Sequence, residues 1–170
     1  TTTTFNIDAQ IQQQFECILN VRRVNDFRYV NKYFESVNAK LPRGGIYIDF
    51  CETKNMRKKR ILNKYPVGIN YLYYALDFIV KRLFPKFALT KKLYFLLTRG
   101  ENRVLSKAEA FGRLYSCGFE ILDEKVIDKS FYFVAIKVKD PLYPKNPSYG
   151  PLIALERIGK GGKIIKVYKM

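Results

Sequence analysis

The alternation of apolar and polar residues divides the first third of the chain into a strand, a helix and a second strand. Residues 15–21 begin with a short apolar run, and apolar residues then recur at helical spacing from Asp26, a candidate N-cap, to Leu41. A Pro–Gly turn follows, and residues 45–52 have the pattern of a buried strand. This order predicts one parallel crossover unit of an α/β fold.

The middle of the chain is first basic and then strongly apolar. Residues 53–66 are predicted to form a basic loop or helical turn. Two apolar stretches follow at 68–84 and 87–98, separated by Pro85. Neither stretch reaches the roughly 20 apolar residues that a membrane-spanning helix needs. We interpret 68–98 as two core helices. The alternative is an interfacial anchor, because aromatic residues alternate with lysine and arginine there.

A capped helix is the strongest local signal in the last third of the chain. Ser106 and Glu109 form a capping box, and Gly118 is typical of the residue that follows a helix C-terminus. Two alternating stretches, at 119–127 and 130–138, then predict an antiparallel hairpin.

The chain is expected to divide into a body and a terminal hairpin. Residues 1–139 would form an α/β domain with a partial Rossmann-like sheet, flanking helices and closing antiparallel strands. Residues 140–151 contain four prolines and are typical of a linker. Residues 152–170 alternate on both sides of a glycine-rich basic turn, which predicts a β-hairpin.

The amino-acid composition limits which metal sites, disulfides and catalytic groups the chain could contain. The chain has no His, and its three cysteines are scattered without a CxxC pair. A metal site and a disulfide framework are therefore not expected, and the cysteines are predicted to be buried and reduced. Asp123 and Glu124 are adjacent and would point to opposite faces of a strand. No Ser or Cys lies beside a candidate base, so no catalytic residue is predicted.

The net charge of +16 is concentrated in one part of the chain. Residues 54–103 contain 13 Lys and Arg but only two acidic residues, which gives this segment a charge of +11. Such a segment suits an anionic partner or a solvated surface. We expect an anionic membrane surface, contacted by Lys58, Lys59, Arg60, Lys81 and Arg82. A nucleic-acid-binding module is a weaker alternative because no recognised motif accompanies the basic and aromatic residues.

The body resembles the C-terminal half of a class I S-adenosylmethionine-dependent methyltransferase. The stretch FECILNVRRVND is similar to that family's strand-four region, and VNAKLPRGGIYIDF is similar to the turn before strand five. AEAFGRLYSCGFEILDE and FYFVAIKV resemble its last helix and closing strands. The resemblance implies a methyltransferase-like sheet. The family's glycine-rich loop and acidic cofactor-binding residue have no counterpart, so no cofactor is expected in this chain. An N-terminally truncated methyltransferase is one alternative function.

The last 21 residues, GPLIALERIGKGGKIIKVYKM, resemble the beginning of the bacterial sugar transferase family. The matching positions are Gly150, Pro151, Arg157, Gly159, Gly162, Lys163, Tyr168 and Lys169. This resemblance implies a non-catalytic N-terminal region of an enzyme that starts capsule or exopolysaccharide synthesis. Such a region would serve docking, regulation or membrane apposition at the cytoplasmic face of the membrane.

The sugar transferase resemblance also implies substrates and a site. The enzyme would transfer a sugar 1-phosphate from a nucleotide sugar to polyprenyl phosphate. Its magnesium ion and catalytic carboxylates would lie in a missing domain. Five cations of the hairpin would contact substrate phosphate: Arg157, Lys160, Lys163, Lys166 and Lys169.

Overall fold

The computed structural model describes residues 6–141 and 153–169, and its main feature is a four-stranded mixed sheet flanked by helices. The strands are β1 (Cys17–Leu19), β2 (Ile46–Cys51), β3 (Phe119–Ile127) and β4 (Ser130–Lys137), in the order β1-β2-β4-β3. β1 and β2 are parallel, whereas β4 is antiparallel to both of its neighbours. The predicted α/β fold with closing antiparallel strands is confirmed.

The helix α1 (Val30–Lys40) connects the two parallel strands, as the sequence predicts. The prediction that Asp26 caps this helix is wrong. Asp26 ends a short 3-10 turn, and its carboxylate accepts hydrogen bonds from Arg23 (3.2 Å) and from the amide of Asn102 (2.9 Å). Because that carboxylate holds a distant loop, α1 begins three residues later than a cap at Asp26 would place it, without a side-chain cap.

Aromatic side chains dominate the core between the sheet and its helices. The ring of Tyr47, on β2, lies 5.6–6.1 Å from the rings of Phe34, Phe119 and Phe133, centroid to centroid. All four side chains are fully buried. Cys51 and Cys117 are buried free thiols, as expected, but Cys17 is exposed because β1 lies at the edge of the sheet.

The capped helix is α5 (Lys107–Ser116), and both of its predicted end signals are confirmed. The amide of Glu109 donates to the hydroxyl of Ser106 at 3.1 Å. Gly118 has φ +87°, and a Cβ at this position would lie 2.0 Å from the carbonyl oxygen of Lys139. Glycine therefore lets the chain turn closely from α5 into β3.

Three further helices lie between β2 and α5. They are α2 (Lys54–Lys64), α3 (Ile69–Phe78) and α4 (Ala88–Thr98). The prediction of a basic loop or helical turn at 53–66 underestimates the helix, because Thr53 caps a three-turn helix by accepting from the amide of Met56 (3.4 Å). α3 continues into a π-helical turn (Ile79–Leu83), and a 3-10 turn that contains Pro85 separates it from α4.

The interpretation of 68–98 as two core helices is wrong. Within α3 the only buried residue is Asn70, and the buried residue of α4 is Tyr94 among the side chains that the structure describes there. Leu89 is 90% exposed and Leu96 is 77% exposed. Both stretches are apolar on nearly every side, so their composition does not specify which face, if any, contacts the body.

The predicted terminal hairpin is present as β5 (Ile153–Ile158) and β6 (Ile164–Lys169), which pair antiparallel. Gly161 and Gly162 in the connecting turn have φ +73° and +76°. Most of the predicted linker, from 142 to 151, lies outside the described residues. Its role as a domain boundary therefore stays a prediction.

Candidate functional site

A buried polar cluster lies where β1 ends beside β2. Asn20 follows β1, and its side-chain amide donates to the carboxylate of Asp49 at 3.0 Å. Asp49 also accepts from the hydroxyl of Tyr47 and from the amide of Phe50 (2.6 Å). Asn20 in turn accepts from the amide of Arg22 at 3.1 Å. These hydrogen bonds fix the carboxyl end of β1 against its parallel neighbour.

Burial strongly perturbs the carboxyl group at the centre of this cluster. Asp49 is 1% exposed, and its burial raises its pKa to about 8, although the hydrogen bonds from Tyr47, Asn20 and Phe50 oppose this shift. Burial, followed by the nearby charge of Asp49, also raises the pKa of Tyr47 well above its ordinary value. A carboxyl group that is largely protonated near neutral pH can donate as well as accept a hydrogen bond.

The outer edge of β1 is accessible and apolar. β1 is the last strand of the sheet among the described residues, and Leu19 is 63% exposed. A cavity of about 430 Å³ runs beside it, lined by Phe15, the three residues of β1 and Lys40, with three residues of the preceding segment. Edge strands are usually very short, or carry a charge, a proline or a bulge, which prevents pairing with another strand. Cys17–Leu19 contains no charge, proline or bulge, but it is only three residues long.

Arg57 connects α2 and α3 to the end of β2 through hydrogen bonds and ion pairs. Arg57, on α2, is 3% exposed and donates two hydrogen bonds to Asp77 on α3, at 2.6 and 2.7 Å. It also donates to Glu52 (3.3 Å) and to the side chain of Asn102 (2.7 Å). Arg60 binds the same Glu52 carboxylate at 2.6 and 3.1 Å. This network determines where α2 and α3 lie relative to the sheet.

A cleft of about 600 Å³ lies between α2 and the turn that joins β3 to β4. Four of its lining residues are basic, namely Lys59, Arg60, Lys64 and Lys129. Glu52 is the one acidic residue of the lining, and two arginines already bind it. The cleft is therefore electropositive.

Exposed apolar residues lie on α3 and α4, two helices that are consecutive in the chain, and we call this set the α3–α4 surface. Its members with at least half of their surface exposed are Ile69, Tyr71, Leu72, Leu76, Leu89, Leu93, Leu96 and Leu97. Scattered exposed leucines are ordinary, but a set of this size on two adjacent helices is typical of an interaction surface.

The structure separates the five cations that the sequence assigns to a membrane surface. Lys59 and Arg60 line the cleft, whereas Lys58 of the same helix lies over the ring of Tyr74 at 5.6 Å. Lys81 is half-buried, and this burial lowers its pKa. Arg82 donates to Glu109 and to the carbonyl oxygen of Val104 (3.0 Å). Lys58 and Lys59 are exposed, while Arg60 and Arg82 hold ion pairs within the chain.

The hairpin cations that the sequence assigns to phosphate are only partly described. Lys163 and Lys166 are exposed, and the strand register pairs Lys166 with Glu156. The side chains of Arg157, Lys160 and Lys169 lie outside the described part of the structure. Their predicted contacts with substrate phosphate stay a prediction.

The comparisons with known proteins find structural resemblances only. No protein-family model and no curated protein matches the chain. One similar structure is an O-methyltransferase family 2 protein from Planctomyces limnophilus DSM 3776, solved with apigenin. It shares 15% identity and a TM-score of 0.46, over 78% of this chain and 33% of that one. An O-methyltransferase family protein from Burkholderia thailandensis shares 10% identity and a TM-score of 0.41, over 79% of this chain and 33% of its own. The chain thus spans about a third of the length of these structures.

These comparisons correct the sugar transferase prediction. The structures found are O-methyltransferase family proteins, and no sugar transferase family model matches the terminal hairpin. The prediction of an N-terminal region of a sugar transferase is wrong, together with its assignment to capsule or exopolysaccharide synthesis. That resemblance rests on about 20 residues of glycine, lysine and alternating apolar positions. Alternating strands around a glycine-containing turn are common to many β-hairpins, so this pattern is not specific to one family.

The described residues contain neither a candidate membrane span nor a candidate metal-binding cluster. No helix in these ranges is long and apolar enough to cross a membrane. No group of three or more Cys, Asp or Glu side chains in them is arranged to hold a metal ion.

Sequence reasoning missed the residues that organise the sheet edge and the cleft. Asp49 had a visible signal, because it is the one acidic residue inside the apolar stretch IYIDFC. A charged residue at an inward-facing strand position requires buried partners. Asn20 and Arg57 gave no comparable signal, since the partners Asp49 of Asn20 and Asp77 of Arg57 lie 29 and 20 residues away along the chain.

Proposed function

We propose that this chain contributes the C-terminal half of an S-adenosylmethionine-dependent methyltransferase sheet, which continues past β1 in the functional protein. The observation that supports this most directly is the outward-facing backbone of Cys17 and Leu19 at the edge of the sheet. The resemblance of 15–139 to the second half of that family agrees with it. The methyltransferase is preferred to a nucleic-acid-binding module, because no recognised nucleic-acid-binding motif accompanies the basic residues of the sequence.

The hydrogen bonding of β1 supports an additional strand at this edge. The carbonyl oxygen of Glu16 accepts from Ile46 (2.8 Å), and the amide of Asn20 donates to Ile48 (3.0 Å). Alternate residues of a parallel strand bond to the same neighbour, so the backbone groups of Cys17 and Leu19 point away from β2. A second parallel strand could pair with them without disturbing any existing bond.

The polar cluster lies where such a sheet would bind its ligand. In parallel α/β sheets, ligands bind in the crevice outside the carboxyl ends of the strands. Asn20 stands at the carboxyl end of β1, and Asp49 holds it there. This chain would supply the rigid wall of the crevice. The backbone loop that contacts the cofactor would come from the strands beyond β1, so the 170-residue chain alone is not expected to bind S-adenosylmethionine.

Residue-resolved amide hydrogen exchange tests whether the sheet continues. We expect the amides of Cys17 and Leu19 to exchange rapidly in the 170-residue chain and slowly in the protein expressed from its complete reading frame. The amide of Asn20, already bonded to Ile48, is the internal control and should be protected in both. Equal exchange of Cys17 and Leu19 in the two proteins would contradict the proposal.

A second proposal concerns the α3–α4 surface. We propose that it lies against an anionic membrane surface, such as that of the cytoplasmic leaflet. Its exposed apolar side chains support this, and so do the exposed lysines Lys58 and Lys92 nearby in the sequence. Asp77 does not oppose such contact, because its carboxylate is turned inward to Arg57 and is 12% exposed. Apolar burial and electrostatic attraction would then act together.

A further inference from the structure

One face of α2 carries three basic residues. Met56, Lys59, Arg60, Asn63 and Lys64 share this face, because Met56–Lys59 and Arg60–Asn63 are three residues apart and Lys59–Asn63 and Arg60–Lys64 are four apart; all five line the 600 Å³ cleft. Arg57 and Ile61, the buried residues of the helix, lie on an adjoining face, and Met56 also packs against the core. Lys59 and Lys64 of this face are exposed to solvent.

The wall across the cleft adds one more lysine. Asp128 and Lys129 form the two-residue turn between β3 and β4, with φ +42° and +67°. This tight turn places Lys129 and the nearby Val126 in the lining of the cleft. A basic helix face and a basic hairpin tip thus meet across one cavity.

Among the described residues, Arg60 is the one basic side chain of the cleft that forms an ion pair. Glu52 is occupied by Arg57 and Arg60. Among the described residues, no carboxylate lies within ion-pair distance of Lys59, Lys64 or Lys129. Like charges held around one cavity repel one another, and a polyvalent anion between them removes that repulsion.

We propose that this cleft binds a phosphomonoester, with the phosphate among Lys59, Lys64 and Lys129 and the organic part against Met56 and Val126. Lysine ammonium groups bind phosphate as point charges without requiring the planar geometry that arginine imposes. The volume lies within the 300–1,000 Å³ typical of small-molecule sites, and the two apolar residues suit an organic group rather than a bare ion. This inference does not depend on the proposed methyltransferase function.

Calorimetric titration of the 170-residue chain with phenyl phosphate tests the site, with phenol and inorganic phosphate as partial ligands. We expect phenyl phosphate to bind more tightly than either of them. Lys59→Gln and Lys129→Gln should each weaken its binding by about three- to tenfold, because each removes one charge-assisted contact. Backbone NMR shifts on titration should be largest at Lys59, Asn63 and Lys129.

Matched substitutions separate the cleft from the general basic surface. Lys58→Gln removes the same charge one residue away, where the side chain lies over Tyr74, and should leave phenyl phosphate affinity unchanged. Equal losses from Lys58→Gln and Lys59→Gln, or equal affinity for phenyl phosphate and inorganic phosphate, would overturn the proposal.

A phosphomonoester could be a free metabolite or the headgroup of phosphatidic acid. Vesicles containing phosphatidic acid, compared with phosphatidylserine vesicles of equal surface charge, distinguish the two. Preference for phosphatidic acid that Lys59→Gln abolishes would assign the cleft to a lipid headgroup. Binding of phenyl phosphate without that preference would assign it to a free phosphomonoester. Absence of both would refute the site.

Discussion

The guanidinium of Arg57 and the carboxylate of Asp77 form a bidentate ion pair, with hydrogen bonds of 2.6 and 2.7 Å. Their side chains are only 4% and 12% exposed. The pair joins α2 to α3. The third guanidinium nitrogen of Arg57, Nη1, donates to Glu52 and Asn102. One side chain thus connects both helices to β2 and to the loop before α5.

Removing this arginine should destabilise the chain severely. Arg57→Met leaves the carboxylate of Asp77 buried without its partner, and breaking a buried pair in this way costs about 3–5 kcal/mol of the free energy of unfolding. Urea denaturation measures the loss. Arg60→Met is the matched control, because Arg60 is 44% exposed and its loss should cost less than about 1 kcal/mol. Similar losses for the two variants would show that burial does not determine the cost.

Stability should fall as the pH rises from 5 to 8. In the folded chain the pKa of Asp49 is raised to about 8, so the native state retains a proton that the unfolded chain releases near pH 4. The raised pKa of Asp49 therefore contributes stability that is fully present below about pH 4 and is lost as the pH rises through about 8. The chain contains no His, whose titration would otherwise overlap this range.

Asp49→Asn isolates this effect. An amide can keep the hydrogen bonds with Tyr47, Asn20 and Phe50 without carrying a charge. The free energy of unfolding of the variant should be nearly constant between pH 5 and 8, so that its advantage over the natural chain grows with pH. Asp123→Asn, on the exposed face of β3, controls for the change in net charge. A parallel pH dependence of Asp49→Asn and the natural chain would contradict this account of the buried carboxyl group.

The α3–α4 surface should bind anionic vesicles. Each lysine or arginine near an anionic leaflet contributes about 1 kcal/mol, and this attraction weakens with salt because the Debye length is about 8 Å at physiological ionic strength. In liposome flotation, Leu89→Ser combined with Leu97→Ser should lower recovery at least about tenfold, since the two leucines are 90% and 73% exposed.

Leu122→Ser is the control for that experiment, because Leu122 is 57% exposed on β3, away from the α3–α4 surface. Equal flotation of the double variant and the natural chain would reject membrane contact through this surface. Equal recovery on neutral and anionic vesicles would reject its electrostatic part.

Local patterns predicted the elements of the sheet well. The alternating strands, the Ser106 cap and Gly118 depend on neighbours within a few residues, so the sequence displays them directly. The parallel arrangement of β1 and β2 followed from a strand, helix and strand in succession.

The site could not be predicted in the same way. Asn20 meets Asp49 across 29 residues, and Lys129 meets the basic face of α2 only because the β3–β4 turn reaches the cleft. The prediction of two core helices at 68–98 failed for a physical reason. Hydrophobicity predicts burial on average, but it does not distinguish a residue of the core from a residue of an exposed interaction surface.

S-adenosylmethionine binding, measured by titration calorimetry, tests the central claim most directly. The 170-residue chain should give no heat above dilution, because it lacks the backbone loop and acidic residue that such a cofactor requires. The protein expressed from its complete reading frame should bind S-adenosylmethionine at micromolar concentration. Leu19→Pro, which places a residue without an amide at the edge of β1, should weaken that binding. Micromolar binding by the 170-residue chain, or none by the complete protein, would contradict the account.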